Sequence, residues 1–328
     1  LADSSTSLNA ANAAWLSPAS FWQPRHITTS AWLGHAPFAS WIVDAIRPRS
    51  VVELGTHFGF SYFVFCEAIR RLGLSSTAFA LDSWQGDDQA GFYGDDVYNS
   101  VSEINDIDYA EFSTLVRGYF DDSLSRIPND SVDLLHIDGR HGLADITHDF
   151  NAWLPKLSCR GVVLFHDTAE HQSGFGVWEF WDDVRKRYPS FEFEHSHGLG
   201  VLAVGTNIPP ALDAFLGATV ESPGEVRATY ETLANQVHDL VSMHERAGSF
   251  PGLTALVEVK DQELCQARKK LMSCETQVEI LSVQALEAAE VVALRHQLYA
   301  LQHSSSWTMT KPLRTVATTV NAWRSRIR

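Results

Sequence analysis

The sequence predicts an α/β domain: a doubly wound, mostly parallel sheet of seven strands with an antiparallel edge hairpin, followed by an α-helical coiled-coil extension. Three observations predict it. Short apolar β-branched runs alternate with helical stretches over roughly residues 50–165, a glycine-bearing turn follows the first run, and helical apolar spacing takes over beyond about residue 206. Runs that are apolar on both faces and alternate with helices belong to a parallel sheet covered on two sides.

Taken in order, residues 1–35 are rich in Trp, Ser and Ala and read as a packed N-terminal arm, with Trp15, Phe21, Trp22 and Trp32 as packing area or as a cover over a site. Residues 36–46 suit a helix, with Pro37 in its first turn and Arg47-Pro48 as its stop. Strands are expected at 50–54, 77–81, 114–117, 132–137 and 161–165, with a helix at 61–72 after the turn 55–59. A helix at 178–188 then leads to two strands, 191–194 and 200–204, joined by 195–199 as the edge hairpin. The domain is set at 36–207, and Pro209-Pro210 and Pro223-Gly224 mark 208–225 as a linker. In 226–303, Tyr230, Leu233, Val237 and Leu240 share one helical stripe until 248–252 interrupts it. Leu264, Ala267, Leu271, Cys274, Val278 and Leu281 form a second seam, continued after a frame shift by Leu294, Leu298 and Leu301. Sustained seams with a shift suit a coiled coil with a stutter and hence self-association; a helical hairpin folded back on the first domain is the alternative.

Composition narrows the function classes. At 328 residues and 45% hydrophobic, the chain is long enough for about two domains and too apolar for disorder. The net charge of −15 lies entirely in residues 1–220, which hold 28 acidic and 13 basic side chains, while the remainder holds 12 of each. Such acidity argues against nucleic acid as a partner. Cys66, Cys159, Cys265 and Cys274 form no C-x-x-C pair, so a disulfide scaffold or structural zinc is not expected and a reducing, cytoplasmic setting fits. No apolar run approaches the roughly 18–20 residues that span a bilayer. The apolar stretch 8–16 lacks the basic flank of a signal peptide, and a start at Leu1 suggests a segment of a longer polypeptide. Residues 304–328 form a basic segment in which Lys311, Arg314, Arg324, Arg326 and Arg328 meet no acid. With Trp323 and Ile327 this suits peripheral contact at the inner membrane face, or a solvated tail leading to a further domain.

Three motifs carry chemistry. In Val51-Val52-Glu53-Leu54-Gly55-Thr56-His57-Phe58-Gly59-Phe60-Ser61 an acidic residue ends the first strand, and two glycines precede a helix whose N-terminus offers free N–H groups. The spacing is not G-x-G-x-x-G, which excludes the dinucleotide fingerprint. Asp82 ends the second strand beside that loop, where a carboxylate can accept both hydroxyls of a ribose. Asp138 in Ile137-Asp138-Gly139-Arg140-His141, and His166 and Asp167 in Leu164-Phe165-His166-Asp167-Thr168, converge at the carboxyl edge of the sheet. Two carboxylates and an imidazole suit octahedral Mg²⁺ or Mn²⁺, and His141 lies close enough to act as a general base. Capping of the following helices is the bland alternative for either Asp alone. The segment 82–94 is polar, aromatic and glycine-rich, so Trp84 or Tyr93 is a candidate for stacking on a sugar.

Over roughly residues 36–205 these motifs resemble the class I, Rossmann-like S-adenosylmethionine-dependent methyltransferases. The closest resemblance is to the metal-dependent sugar O-methyltransferases of the macrocin and mycinamicin type and to the cephalosporin-hydroxylase-like group. The resemblance implies that Glu53, Gly55, Thr56, Gly59 and Ser61 hold the methionine part of S-adenosylmethionine, Asp82 its ribose, and Phe120 and Asp122 its adenine. It implies Asp138 and Asp167 as ligands of a divalent metal, with His166 beside them, and His141 as the base that deprotonates a sugar hydroxyl. That family often carries an acid where this chain has His166, and imidazole suits Mn²⁺ better than Mg²⁺. Residues 304–314 resemble a linker near glycosyltransferase modules of bacterial polysaccharide synthesis, implying a glycan acceptor and a glycosyltransferase partner. The rival readings are a non-catalytic coiled-coil assembly module and a metal-dependent hydrolase or oxygenase.

Overall fold

The computed structural model describes residues 14–28, 30–87, 91–248, 295 and 299–300, with residues 1–245 as one unit and the rest as a second. In chain order the elements are α1 (Ala36–Ile46), β1 (Ser50–Leu54), α2 (Phe60–Arg71), β2 (Thr77–Asp82), β3 (Gly86–Asp87), β4 (Gly91–Phe92), α3 (Asp95–Asp108) and β5 (Ser113–Arg117). There follow β6 (Val132–Ile137), α4 (Leu143–Trp153), β7 (Leu157–His166), α5 (Val177–Val184), β8 (Ser190–Phe193), β9 (Leu199–Ala203), α6 (Pro210–Glu221) and α7 (Pro223–Gly248).

Seven strands form one sheet in the order β5-β2-β1-β6-β7-β9-β8, parallel through β7. The final hairpin reverses direction, with β9 antiparallel to both β7 and β8 and inserted between them. The expected doubly wound sheet with an antiparallel edge is therefore present. Successive residues of a strand face opposite sides. Val51, Leu134, Val162 and Leu164 enter the core beneath α1, α2, α6 and α7, whereas Val52, Leu135, Val163 and Phe165 enter the core beneath α4 and α5. Both faces are buried, which is why the strands read as continuous apolar runs.

Local chemistry sets the boundaries. Pro37 pre-forms the first turn of α1, and Arg47 ends it in the left-handed region at φ 42°. Gly59, at φ 82°, caps α2. The helix expected to reach residue 188 loosens into turns after Val184, ahead of Pro189.

The stretch 208–225, expected as a linker, is mostly helical. Pro210 and Pro223 sit at helix starts, where a missing N–H costs nothing. Phe215 of α6 is buried, 4.8 Å from Trp41 between ring centroids. Val226, Tyr230, Leu233 and Val237 of α7 are buried as well, and the Tyr230 hydroxyl donates to the Trp15 carbonyl at 2.6 Å. The predicted stripe of α7 thus docks on the first domain, and the domain runs past residue 207. The later coiled-coil seam and the basic end lie outside the described residues, apart from helical residues 295, 299 and 300. Among the described residues no helix is long and apolar enough to cross a membrane.

The amino edge of the sheet is tied by one carboxylate. Asp133 of β6 is buried and accepts from the Arg49 backbone N–H, Nε and Nη2, each at 2.9 Å, and from the Ser158 hydroxyl. Burial opposes its ionisation, but these donors lower its pKa to about 2. A carboxyl depressed on folding adds stability that is present above its unfolded pKa and lost as pH falls through the folded one. Asp133→Asn is expected to cost about 1–2 kcal/mol at pH 7, after allowance for screening at the exposed Arg49, and to flatten the acid limb between about pH 4 and 2 in urea titrations.

Candidate active site

The carboxyl ends of β1, β2, β5, β6 and β7 open onto one cavity of about 720 Å³. Its floor is the loop after β1. Gly55 adopts φ 88° and its N–H donates to the Leu81 carbonyl at 2.9 Å. The Asp138 carbonyl oxygen would lie only 2.0 Å from a Cβ at Gly55, so this position tolerates no side chain. Gly55, Thr56 and Ser61 line the cavity, and the Thr56 hydroxyl is buried there without a partner. Gly59 does not line it; it caps α2 behind the loop.

Asp82 also lines the cavity, but three backbone N–H groups already claim its carboxylate. Thr56 and His57 donate to Oδ2 at 2.8 Å each, and Trp84 donates to Oδ1 at 2.7 Å. A carboxylate has about four acceptor sites, so about one remains rather than the two a ribose diol would occupy.

Glu53 lies elsewhere. It is fully buried, absent from the cavity wall, and 2.8 Å from Nδ1 of the equally buried His136. Burial pushes its carboxyl up, against the hydrogen bond from His136. The two residues are register partners of β1 and β6, so strand alternation puts both on the α2 face. Glu53 is thus off the cavity wall, where it was expected to meet a ligand, and its Oε1 is buried without a hydrogen-bond partner.

Phe120 lines the cavity as expected, whereas Asp122 is exposed outside it. The turn after β5 instead brings Asp121 to the wall, 2.9 Å from His148 Nε2.

Asp138, His141, His166 and Asp167 all line the cavity. One donor atom each from Asp138, His141 and Asp167 lies within 4.8 Å of the others. His141 Nδ1 is 2.9 Å from Asp167 Oδ2, and its ring stacks on Phe175 at 4.8 Å. His166 is more deeply buried, with Nδ1 3.3 Å from one oxygen of each of Asp138 and Asp167 and Nε2 3.1 Å from the Ser196 carbonyl. Burial disfavours a charged His166, yet Asp138 and Asp167 raise its pKa to about 10. Burial likewise works against Asp167, but hydrogen bonds from His141 and His166 hold it far below the usual carboxylate range. His141 is pulled down by burial and lifted further by Asp167 and Asp138, ending above its ordinary value.

Other expectations resolve by packing. Trp84 is fully buried, with Nε1 donating to the His57 carbonyl, so it cannot stack on a sugar; Phe92 and Tyr93 reach the cavity instead. Ser30, Ala31 and Trp32 of the N-terminal arm form another wall that sequence reasoning left open. Asp145, His148 and Asp149 of α4 also line the cavity and were missed. Their i, i+3, i+4 spacing, which puts them on one helix face, was the readable signal.

The cavity of this open α/β sheet lies across the strand ends, at the switch between β1 and β6, where such sheets bind their ligands. A family described as a methyltransferase domain matches residues 52–168 of this chain. An uncharacterized protein of Sinorhizobium fredii is 51% identical over 183 residues, covering 56% of this chain and 20% of that protein. This chain therefore spans about a fifth of the length of that relative. Among solved structures, an O-methyltransferase of Streptomyces achromogenes involved in tomaymycin synthesis, in complex with S-adenosylmethionine, is 16% identical with a TM-score of 0.41, over 55% of this chain and 83% of that one. A methyltransferase of Podospora anserina bound to S-adenosylhomocysteine is 13% identical with a TM-score of 0.42, over 54% and 79%.

Gly55→Ala tests the floor directly. The added Cβ meets backbone at a positive φ, so a loss of about 1–3 kcal/mol is expected, read as a lowered Tm; an unchanged Tm would show that the loop has room.

Proposed function

We propose that this chain is an S-adenosylmethionine-dependent O-methyltransferase that methylates a sugar hydroxyl with the help of a divalent metal. The observation that carries this reading is the presence, in one cavity, of the glycine loop pinned by Asp82 and the carboxylate–imidazole group of Asp138, His141 and Asp167. The loop offers a bare backbone edge and the Thr56 hydroxyl to the methionine end of the cofactor. Asp82 offers its remaining acceptor site to one ribose hydroxyl.

Asp138 and Asp167 fit a divalent cation in donor type and spacing, with an imidazole beside them. When bound, such a cation lowers the pKa of a coordinated hydroxyl. His141, oriented by Asp167, takes the hydroxyl proton. The alkoxide oxygen then forms its bond to the sulfonium methyl carbon as the carbon–sulfur bond breaks, and S-adenosylhomocysteine leaves. Closely held reactants supply much of the acceleration. The resemblance of residues 304–314 to glycosyltransferase-linked segments supports a surface glycan as acceptor and a glycosyltransferase as partner. The retained acid and imidazole set favours this reading over a purely architectural module.

Calorimetric titration of S-adenosylmethionine into the full chain is expected to show stoichiometric binding, and absence of binding would overturn the assignment. Turnover on sugars with neighbouring hydroxyls is expected to stop with EDTA and return with Mn²⁺. His141→Ala is expected to cut methyl transfer about 10²–10⁴-fold while leaving S-adenosylhomocysteine affinity unchanged. Mn²⁺ affinity should also survive in that variant; its loss would move His141 from proton acceptor to metal ligand.

A further inference from the structure

Helix α4 starts six residues after β6 ends and turns one face toward the cavity, carrying Asp145, His148 and Asp149. Two of these three are explained without a ligand. Asp145 and His148 stand near solvent, and His148 is paired with Asp121. Asp149 is different. It is only 8% exposed, and its carboxyl group opens onto the cavity; among the described residues no hydrogen bond or ion pair reaches it. A carboxyl group turned into a cavity with no protein partner has its hydrogen-bonding capacity left for a ligand there.

The surroundings say what that is. A Cβ at Gly139 would meet the Phe120 ring at 2.7 Å and Asp149 Oδ2 at 3.6 Å. A flat aromatic ring, a backbone without a side chain and a carboxyl group thus meet at one corner. The corner lies between the loops that follow β5 and β6. On the function proposed above, the sulfonium methyl would face Asp138, His141 and Asp167, and the ribose would lie by Asp82. The base, at the other end of the nucleoside, is left with this corner.

We infer, on the basis of the function proposed above, that Asp149 reads the amino edge of the cofactor's adenine, accepting from the exocyclic amino group and donating to ring nitrogen N1. Burial raises the Asp149 carboxyl to about 7, with Asp121 and Asp145 adding to the effect and His148 opposing it, so the O–H donor exists near neutrality. A protonated carboxyl group has one donor and one acceptor side by side, which matches N1 and the amino group of adenine. Asp149 would then set nucleoside specificity from a helix outside the motifs that first marked the site.

The test measures affinity for S-adenosylhomocysteine and for its 6-deamino analogue, in which purine replaces adenine, by calorimetry on the full chain. The native protein is expected to prefer S-adenosylhomocysteine by about 10-fold, the effect of one direct hydrogen bond inside a protein. Asp149→Ala should abolish that preference, binding both ligands alike. Asp149→Asn, which keeps a donor and an acceptor, should retain it. Equal affinity of the native protein for the two ligands would overturn the inference and leave the proposed function standing, as would a preference that survives Asp149→Ala. Failure of the native protein to bind either ligand would overturn both. The native comparison requires no variant to fold.

Discussion

Three backbone N–H groups converge on the carboxylate of Asp82, and the site depends on that convergence. Two come from the loop after β1 and one from the chain leaving β2, so a single side chain fixes two strand ends against each other. His57 at φ 49° and Trp84 at φ 48° are held in left-handed backbone by the same contacts. Gly55 is then pressed against the Asp138 carbonyl, and the Asp138 N–H donates to Leu54. The glycine loop and the carboxylate group on β6 are mechanically one object. On the proposed function, a cofactor seated on the first would be held in a fixed relation to the second.

Charge organises the other half of the cavity. Asp138 and Asp167 are close enough that His166 bridges them, and its high pKa expresses their joint demand for a positive charge. A proton on an imidazole meets that demand in part. A divalent cation carries twice the charge and more ligand positions, so the same pair that holds His166 charged is chemically suited to a metal. His141 stands at the outer side of the pair, bonded to Asp167, less buried than His166 and better placed to meet a substrate. The two histidines differ by depth, which the sequence does not encode directly.

What the sequence made legible follows from periodicity, and what it hid follows from phase. The strands of the parallel sheet were readable because burial on both faces leaves continuous β-branched runs. β7 begins at Leu157 rather than Gly161 because its first residues pair across a register shift between Val132 and Leu134, a feature no local pattern marks. Glu53 looked like a ligand contact because it ends a strand before a glycine loop, yet alternation from Val51 puts it on the α2 face, opposite His136. That alternation was visible in the sequence; the partner across the sheet was not. Asp121 rather than Asp122 reaches the cavity through the phase of a single tight turn. The prolines of 208–225 suggested a linker because proline breaks helices internally, whereas here each opens one.

The N-terminal arm completes the cavity. Trp32 packs edge-on against His35, Phe65 and His136, and it also forms part of the cavity wall. The arm is anchored further back, where Asp108 binds both Arg25 and His26 while also meeting Arg70 of α2. This wall lies outside residues 52–168, the span that matches the methyltransferase family. The matched span contains the glycine loop, Asp82 and the carboxylate–imidazole group. Ser30, Ala31 and Trp32 line the cavity from a segment anchored by the Arg25–Asp108 ion pair and by Trp32 itself, which is buried in the main core. On the proposed function, the arm and the Phe92–Tyr93 edge, which line the same cavity, would share in acceptor choice with the sheet.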